Sequence, residues 1–188
     1  SFTLYLDSVI QVNATTSQPL PKILYVISTE TGGTPQTNLD LMKQVSEKYE
    51  CYLLVSNSKT VKLFVLQENN LKLIQLHELH EKIHPSTHVS AEYDAVVSNW
   101  IGVLNISLLH IRHIGWHSFG LIEYSHNYGT PIVFSFHDFY TVCPTVKLLD
   151  GDKQYCGGVC SKTNNPCVPE LWPAKQLSNL NDFEVYSW

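Results

Sequence analysis

The chain has 188 residues, a formal net charge of −5 and only 15% charged residues, against about 25% in a typical soluble domain. Its length suffices for one well-buried core. With 12 Lys and Arg and no basic run, it lacks the clustered positive charge that nucleic-acid binding requires. The longest uncharged span, residues 95–111, is interrupted by Ser98, Asn105 and other polar residues, so we expect no transmembrane segment.

The first 21 residues differ in character from the rest of the chain. Phe2, Leu4 and Leu6 alternate with other residues as on one side of a strand, and residues 13–21 have the Thr, Ser, Gln and Pro content of a linker. We therefore predict a leading strand and linker over residues 1–21, belonging to a preceding element, and one domain over residues 22–188.

The domain opens with a strand, a glycine turn and a helix. Residues 23–27 are a continuous apolar run, which is typical of a strand covered on both faces. After Gly32 and Gly33 a helix is predicted, since Thr34 can cap it and Pro35 suits its first turn.

Strand and helix patterns continue to alternate along the chain. Strands are predicted over 51–55, 61–66, 71–76, 106–111 and 131–136. Helices are predicted over 91–104, with Val96, Trp100 and Val103 on its apolar stripe, and over 116–128. The order predicts an α/β fold, Rossmann-like and doubly wound, with a mostly parallel sheet, helices on both faces and a Cys-rich irregular loop over 143–173.

The glycine turn is a candidate anion site. Gly32, Gly33 and Thr34 precede or begin the first helix, whose N-terminal N–H groups and positive dipole end favour an anion such as a phosphate. A tight turn without a ligand remains the alternative. The chain has neither the lysine of a P-loop nor a Gly-x-Gly-x-x-Gly pattern, which disfavours kinase-like and dinucleotide-binding proteins.

Titratable residues come directly after the last two predicted strands, where ligands bind in open α/β sheets. His137 can exchange a proton near neutral pH, and Asp138 can orient it or accept a ligand hydroxyl. The alternative is a loop histidine that bonds to backbone. At the end of the preceding strand we predict the wall of a polar pocket rather than a metal site, formed by His110, Arg112, His113 and His117.

Four cysteines lie in the irregular C-terminal region with the spacing Cys143-x12-Cys156-x3-Cys160-x6-Cys167. Four thiolates could hold a structural zinc ion tetrahedrally and fix a loop that has no core of its own. The x3 spacing departs from the usual Cys-x-x-Cys, so another metal, disulfides and unligated thiols remain open. Cys51 lies within a strand and is predicted to be a small core residue.

Taken together, residues 22–144 resemble the N-terminal domain of a GT-B fold glycosyltransferase of family 4. The resemblance rests on the opening strand with its glycine turn and on two phrases, His-Ile-Arg-His at 110–113 and Pro-Ile-Val-Phe-Ser-Phe-His-Asp-Phe at 131–139. It implies a retaining hexosyltransferase, located in the cytoplasm or peripherally at the inner membrane, that uses a nucleotide-sugar donor and a sugar, lipid-linked or polysaccharide acceptor.

The resemblance also implies roles for the residues named above. Gly32 and Gly33 would approach the donor phosphate, His137 would lie near the transferred sugar with Asp138 supporting its loop, and His113 and its neighbours would line the acceptor side.

This chain lacks the Glu-x7-Glu motif of the family's donor-binding C-terminal domain. We therefore expect that domain to be a missing partner and this fragment to be inactive alone. The alternatives are a non-catalytic binding or scaffold domain with a metal-stapled loop, and a flavodoxin-like ligand module.

Overall fold

A computed structural model describes residues 19–83, 88–143, 146–150 and 152–158. The predicted leading segment up to residue 18 and most of the Cys-rich region lie outside these ranges. Six strands and three helices succeed one another along the described chain: β1 (Lys22–Ile27), α1 (Gly33–Val45), β2 (Glu50–Ser56), β3 (Thr60–Gln67), β4 (Asn70–Glu78), α2 (Ala91–Leu104), β5 (Leu108–Ile111), α3 (Gly120–Asn127) and β6 (Ile132–Phe134).

The strands form one mixed sheet in the order β4-β3-β2-β1-β5-β6. β1 pairs in parallel with β2 and β5, and β5 pairs in parallel with β6. β3 pairs antiparallel with β2, and β4 pairs antiparallel with β3. The connections between these strands are too short for the crossover that a parallel pair needs. At the tighter of the two turns, Glu68 and Asn69 both have positive φ, 49° and 63°, as a two-residue hairpin turn requires. The predicted α/β class is confirmed.

Two apolar layers sandwich the sheet. One face packs α2 and α3 through Tyr93, Val97, Ile101 and Leu121 against the side chains of Leu24 and its neighbours in the sheet. The other face packs α1 through Met42 against Tyr25, Cys51 and their neighbours. The helices therefore cover both faces, and the carboxyl ends of β1, β5 and β6 meet at one edge, where α1 begins.

The ends of two helices are fixed by identifiable contacts. Ser90 caps α2 by accepting a hydrogen bond from the Tyr93 N–H, and Asn105 ends α2 in the left-handed conformation. The N-cap of α1 is Gly32 rather than the predicted Thr34, with no side-chain cap. None of the helices in the described ranges is both long and apolar enough to cross a bilayer.

Candidate functional site

Polar side chains converge at the carboxyl ends of β1, β5 and β6. We call this cluster the edge site: Ser28 lies just after β1, Arg112 and His113 just after β5, and His137 and Asp138 shortly after β6. The parallel pairing of these strands brings their ends together. Four of these five residues line a pocket with Phe136 and Tyr140, and its free volume of about 10 Å³ is roughly that of one water molecule.

Arg112 lies at the centre of the edge site and is only 9% exposed. Its Nε donates to His137 Nε2 at 3.0 Å and its Nη2 donates to Thr37 Oγ1 on α1 at 3.2 Å. Within the described ranges no carboxylate oxygen lies within 4.0 Å of the guanidinium. Burial lowers the pKa of Arg112, but an arginine remains charged at neutral pH. The site thus holds a buried cation whose protein partners are neutral.

His113 is held from both of its ring nitrogens. Its Nδ1 accepts the Gly115 N–H at 3.1 Å and lies 2.7 Å from Ser28 Oγ. Its Nε2 lies 3.4 Å from Asp138 Oδ2. With Nδ1 as acceptor, the proton of the neutral ring is on Nε2 and faces the carboxylate. Burial lowers the pKa of His113, against the opposing effect of Asp138, so the neutral ring is favoured.

His137 is more exposed and differently bonded. Because its Nε2 accepts from Arg112, the proton of the neutral ring is on Nδ1. Burial and the charge of Arg112 lower the pKa of His137. Asp138 Oδ1 accepts the Tyr140 N–H at 2.9 Å, which closes the turn after β6. His137 therefore offers a ring N–H, while Asp138 orders the loop that carries it.

The other two predicted pocket histidines lie in different places. His110 is half-buried beside the edge site, with its Nε2 2.8 Å from Ser135 Oγ. His117 is fully buried in the core, where its Nε2 donates to the Ile27 carbonyl at 2.8 Å and its Nδ1 accepts from the Tyr93 hydroxyl at 2.6 Å. Burial lowers the pKa of His117 to about 3, so it is a neutral core residue and does not line the pocket.

The predicted glycine turn lies at the same edge of the sheet as the edge site, but it borders a different cavity. Gly32 has φ 105°, and at both Gly32 and Gly33 no atom lies within 4 Å of an added Cβ. Gly32 lines an apolar cleft of about 440 Å³ on the α1 face of the sheet, together with residues of α1, β2 and β3. Thr34 neither caps α1 nor lines this cleft. The bond from Arg112 to Thr37 links α1 to the edge site.

The structure describes two of the four cysteines predicted to bind zinc. Cys143 is buried and Cys156 is half-exposed, whereas Cys160 and Cys167 lie outside the described residues. No group of three or more metal-binding side chains occurs among the residues that the structure describes. The zinc ion remains a prediction.

Sequence reasoning did not find a buried hydrogen-bonded path behind the edge site. The Tyr140 ring stacks on His113 with centroids 5.1 Å apart, and its hydroxyl donates to His88 Nε2 at 2.7 Å. His88 Nδ1 donates in turn to the His117 carbonyl at 2.9 Å. Ser28 and Thr37 were also missed. Only Ser28 carries a sequence signal, since it comes directly after a buried strand.

The fold and the edge site define an α/β domain with a polar site at the carboxyl edge of its sheet. No protein-family profile and no curated protein matches the chain. Among solved structures, it is similar to a secreted C11 cysteine protease from Bacteroides thetaiotaomicron, "iotapain", with 10% identity and a TM-score of 0.33 over 52% of this chain and 31% of the protease. A complex of a secreted C11 cysteine protease from the same organism with an irreversible peptide inhibitor matches with 11% identity and a TM-score of 0.32 over 49% of this chain and 28% of that one.

These comparisons correct the sequence-based assignment. The predicted family 4 glycosyltransferase is wrong: the solved structures that the chain resembles are C11 cysteine proteases and not GT-B glycosyltransferases. The alternative of a scaffold domain with a metal-stapled loop gains no support either. The misleading motifs were buried strands, a glycine turn and polar strand ends, which many α/β sheets share regardless of function. The chain spans less than a third of the length of the matched proteases.

Proposed function

We propose that the chain binds a small anionic molecule, a carboxylate or phosphate, at the edge site, with Arg112 as the anchor. The observation that carries the proposal is the buried guanidinium, which is 9% exposed and bonded to His137 and Thr37, both neutral. Doubly wound α/β sheets use this same edge for their ligands.

An unpaired buried charge is energetically unfavourable. The effective cost of removing one ion from water is several kcal/mol unless an opposite charge or hydrogen bonds compensate it. A guanidinium has five N–H donors, and those not bonded to His137 and Thr37 have no protein partner among the described residues. No Arg112 nitrogen is among the fully buried polar atoms that lack a partner, so these free donors are accessible from the pocket. An anionic oxygen would supply both the opposite charge and the missing acceptor, and charge-assisted bonds of this kind are the stronger class.

The surroundings define how an anion would enter. The pocket has room for about one oxygen atom, so a single anionic oxygen would reach Arg112 while the rest of the molecule stays at the surface. His137 would add its Nδ1–H as a second donor. Among the described residues, Asp138 supplies the one carboxylate that lines the pocket, and it is already bonded to the Tyr140 N–H and faces His113.

A thiol-dependent reaction at this site has no support from the described cysteines. Cys51 and Cys143 are buried, Cys156 is half-exposed, and none of the three lines the pocket. Burial also raises the pKa of Cys51 to about 11, which keeps it in the less reactive thiol form at neutral pH.

Calorimetric titration with acetate and with inorganic phosphate tests the proposal. The Arg112→Met variant keeps much of the side-chain volume but removes the charge, and Lys48→Met removes one positive charge just beyond the C-terminal end of α1. We expect Arg112→Met to weaken binding at least about tenfold, equivalent to roughly 1.4 kcal/mol, and Lys48→Met to bind as the wild type does. Equal affinities in the wild type and both variants would refute Arg112 as the anchor.

A further inference from the structure

An exposed aromatic ring lies in the wall of the edge-site pocket. Phe136 is 71% exposed and lies between Ser135 and His137 in the segment after β6. It lines the same pocket as Arg112 and His137. Its ring rests against Phe134, with centroids 4.9 Å apart and planes inclined by 31°. The ring is therefore supported from one side and open on another.

Two further exposed apolar side chains follow Phe136 in the same segment of the chain. Phe139 is 48% exposed and Val142 is 68% exposed. We call Phe136, Phe139 and Val142 the apolar rim. The turn that carries the rim is ordered, since the Val142 N–H donates to the Phe139 carbonyl at 2.9 Å. Exposed apolar groups collected beside convergent polar ones are typical of ligand sites.

From this juxtaposition we propose that the ligand of the edge site is an anion with a flat apolar body, whose charged oxygen contacts Arg112 while its body lies against Phe136. This inference rests on the proposed anion binding and adds the chemical class of the remainder of the ligand. Arylacetates and similar aromatic carboxylates have this form.

Two constraints select this class of ligand. The pocket has free volume for about one oxygen atom, so the body of the ligand would remain at the surface, where Phe136 provides an exposed ring. The Arg112 guanidinium has no carboxylate within 4.0 Å among the described residues, which favours an anionic ligand. A neutral aromatic compound would contact only the Phe136 ring, and a small anion would contact only the Arg112 guanidinium.

The test compares acetate, phenylacetate and 2-phenylethanol in calorimetric titrations of the whole chain. These probes carry the anion, the anion with a ring, and the ring with a neutral group. Phe136→Ala removes the proposed ring contact. Tyr128→Ala is the matched control, because Tyr128 is 72% exposed but lines a different cleft with residues of α2 and α3.

We expect phenylacetate to bind roughly tenfold more tightly than acetate, and 2-phenylethanol to bind more weakly than phenylacetate. Phe136→Ala should abolish the preference for phenylacetate over acetate, and Tyr128→Ala should preserve it. Equal affinities of the wild type for acetate and phenylacetate would overturn this inference and leave anion binding intact. Failure of both anions to bind would overturn the proposed function and this inference with it.

Discussion

At the scale of single residues, Gly115 shows how closely the edge site is packed. Its N–H donates to His113 Nδ1, and a Cβ added to Gly115 would lie 2.7 Å from His113 Cε1 and 3.0 Å from Nδ1. The imidazole occupies the space that any other side chain would need. A glycine is therefore required here for a close approach and not for a special backbone conformation.

We expect Gly115→Ala to displace the His113 ring from Asp138 and to lower the free energy of unfolding by about 1 to 3 kcal/mol, as overpacking does. Gly33→Ala is the control, because no atom lies near its Cβ position and alanine is the better helix former. Urea denaturation of both variants measures the effect. A Gly115→Ala protein as stable as the Gly33→Ala protein would contradict the close packing of His113 on Gly115.

The sequence identified the residue types of the site but not their partners. Arg112 and His137 were predictable because both come after apolar strand patterns, and the ends of parallel strands lie at the same edge of the sheet. Their mutual bond and the link to Thr37 depend on three-dimensional distances across 25 and 75 positions of the chain. The prediction for His117 was wrong because a polar side chain after a strand suggested a pocket wall. In the structure its two ring nitrogens bond to the Tyr93 hydroxyl and the Ile27 carbonyl inside the core.

At the scale of elements, the spacing of apolar residues predicted where strands and helices occur. It predicted less well which face of a helix is buried and where a helix begins. The helix predicted over 91–104 has the observed bounds, but it buries Tyr93, Val97 and Ile101, whereas Val103 of the predicted stripe is 78% exposed. Its apolar residues cover too much of the circumference for one stripe to be distinguished. The predicted start of α3 was four residues early, because Trp116 adopts a positive φ of 62° before α3 begins at Gly120.

The contact between α2 and α3 gives a prediction at this scale. The Asp94 carboxyl group of α2 lies over Gly120 at the start of α3, and a Cβ added to Gly120 would overlap the Asp94 carboxyl atoms. We expect Gly120→Ala to separate the two helices and to lower the free energy of unfolding by about 1 to 3 kcal/mol.

Thermal or urea denaturation checks this prediction, and the double variant Gly120→Ala with Asp94→Ala provides the control. Removing the Asp94 carboxyl group should recover part of the loss, since the steric conflict then disappears. A double variant whose losses simply add would argue against a direct contact between the two side chains.

At the scale of the whole molecule, the buried residues His88 and His117 connect the edge site to the core between the sheet and α2. The His117 ring bonds to the Ile27 carbonyl of β1 and to the Tyr93 hydroxyl of α2. The His88 ring bonds to the backbone carbonyl of His117 and to the Tyr140 hydroxyl. This part of the domain therefore contains two buried imidazoles, and burial lowers the pKa of one of them, His117. The pattern has a consequence for the pH dependence of stability.

Acidification should destabilise the domain. Burial lowers the pKa of His117 to about 3 from its usual 6.5, so between these values the unfolded chain takes up a proton that the folded chain does not. The free energy of unfolding then falls as the pH falls below about 6.5, by up to about 1.4 kcal/mol per pH unit for this group. Burial lowers the pKa values of His113 and His137 as well, which adds to the same trend.

Burial raises the pKa of Asp94, and this opposes the trend. Urea midpoints at about pH 7 and about pH 5 measure the net effect, and we expect the lower midpoint at pH 5. NMR titration should find the His117 ring neutral throughout that interval. A charged His117 ring at pH 5, or a midpoint that does not fall, would contradict the assignment of a neutral buried histidine.

The central claim is that the Arg112 guanidinium receives an anion, and the composition of the chain allows a direct measurement. Arg112 is the only arginine among the 188 residues, so the protein has a single arginine Nε–Hε resonance in ¹⁵N NMR spectra. Titration with acetate at constant ionic strength should shift this resonance along a saturating curve, while chloride at the same concentration should not shift it. A resonance that responds equally to both salts, or to neither, would contradict the specific binding of a carboxylate at Arg112.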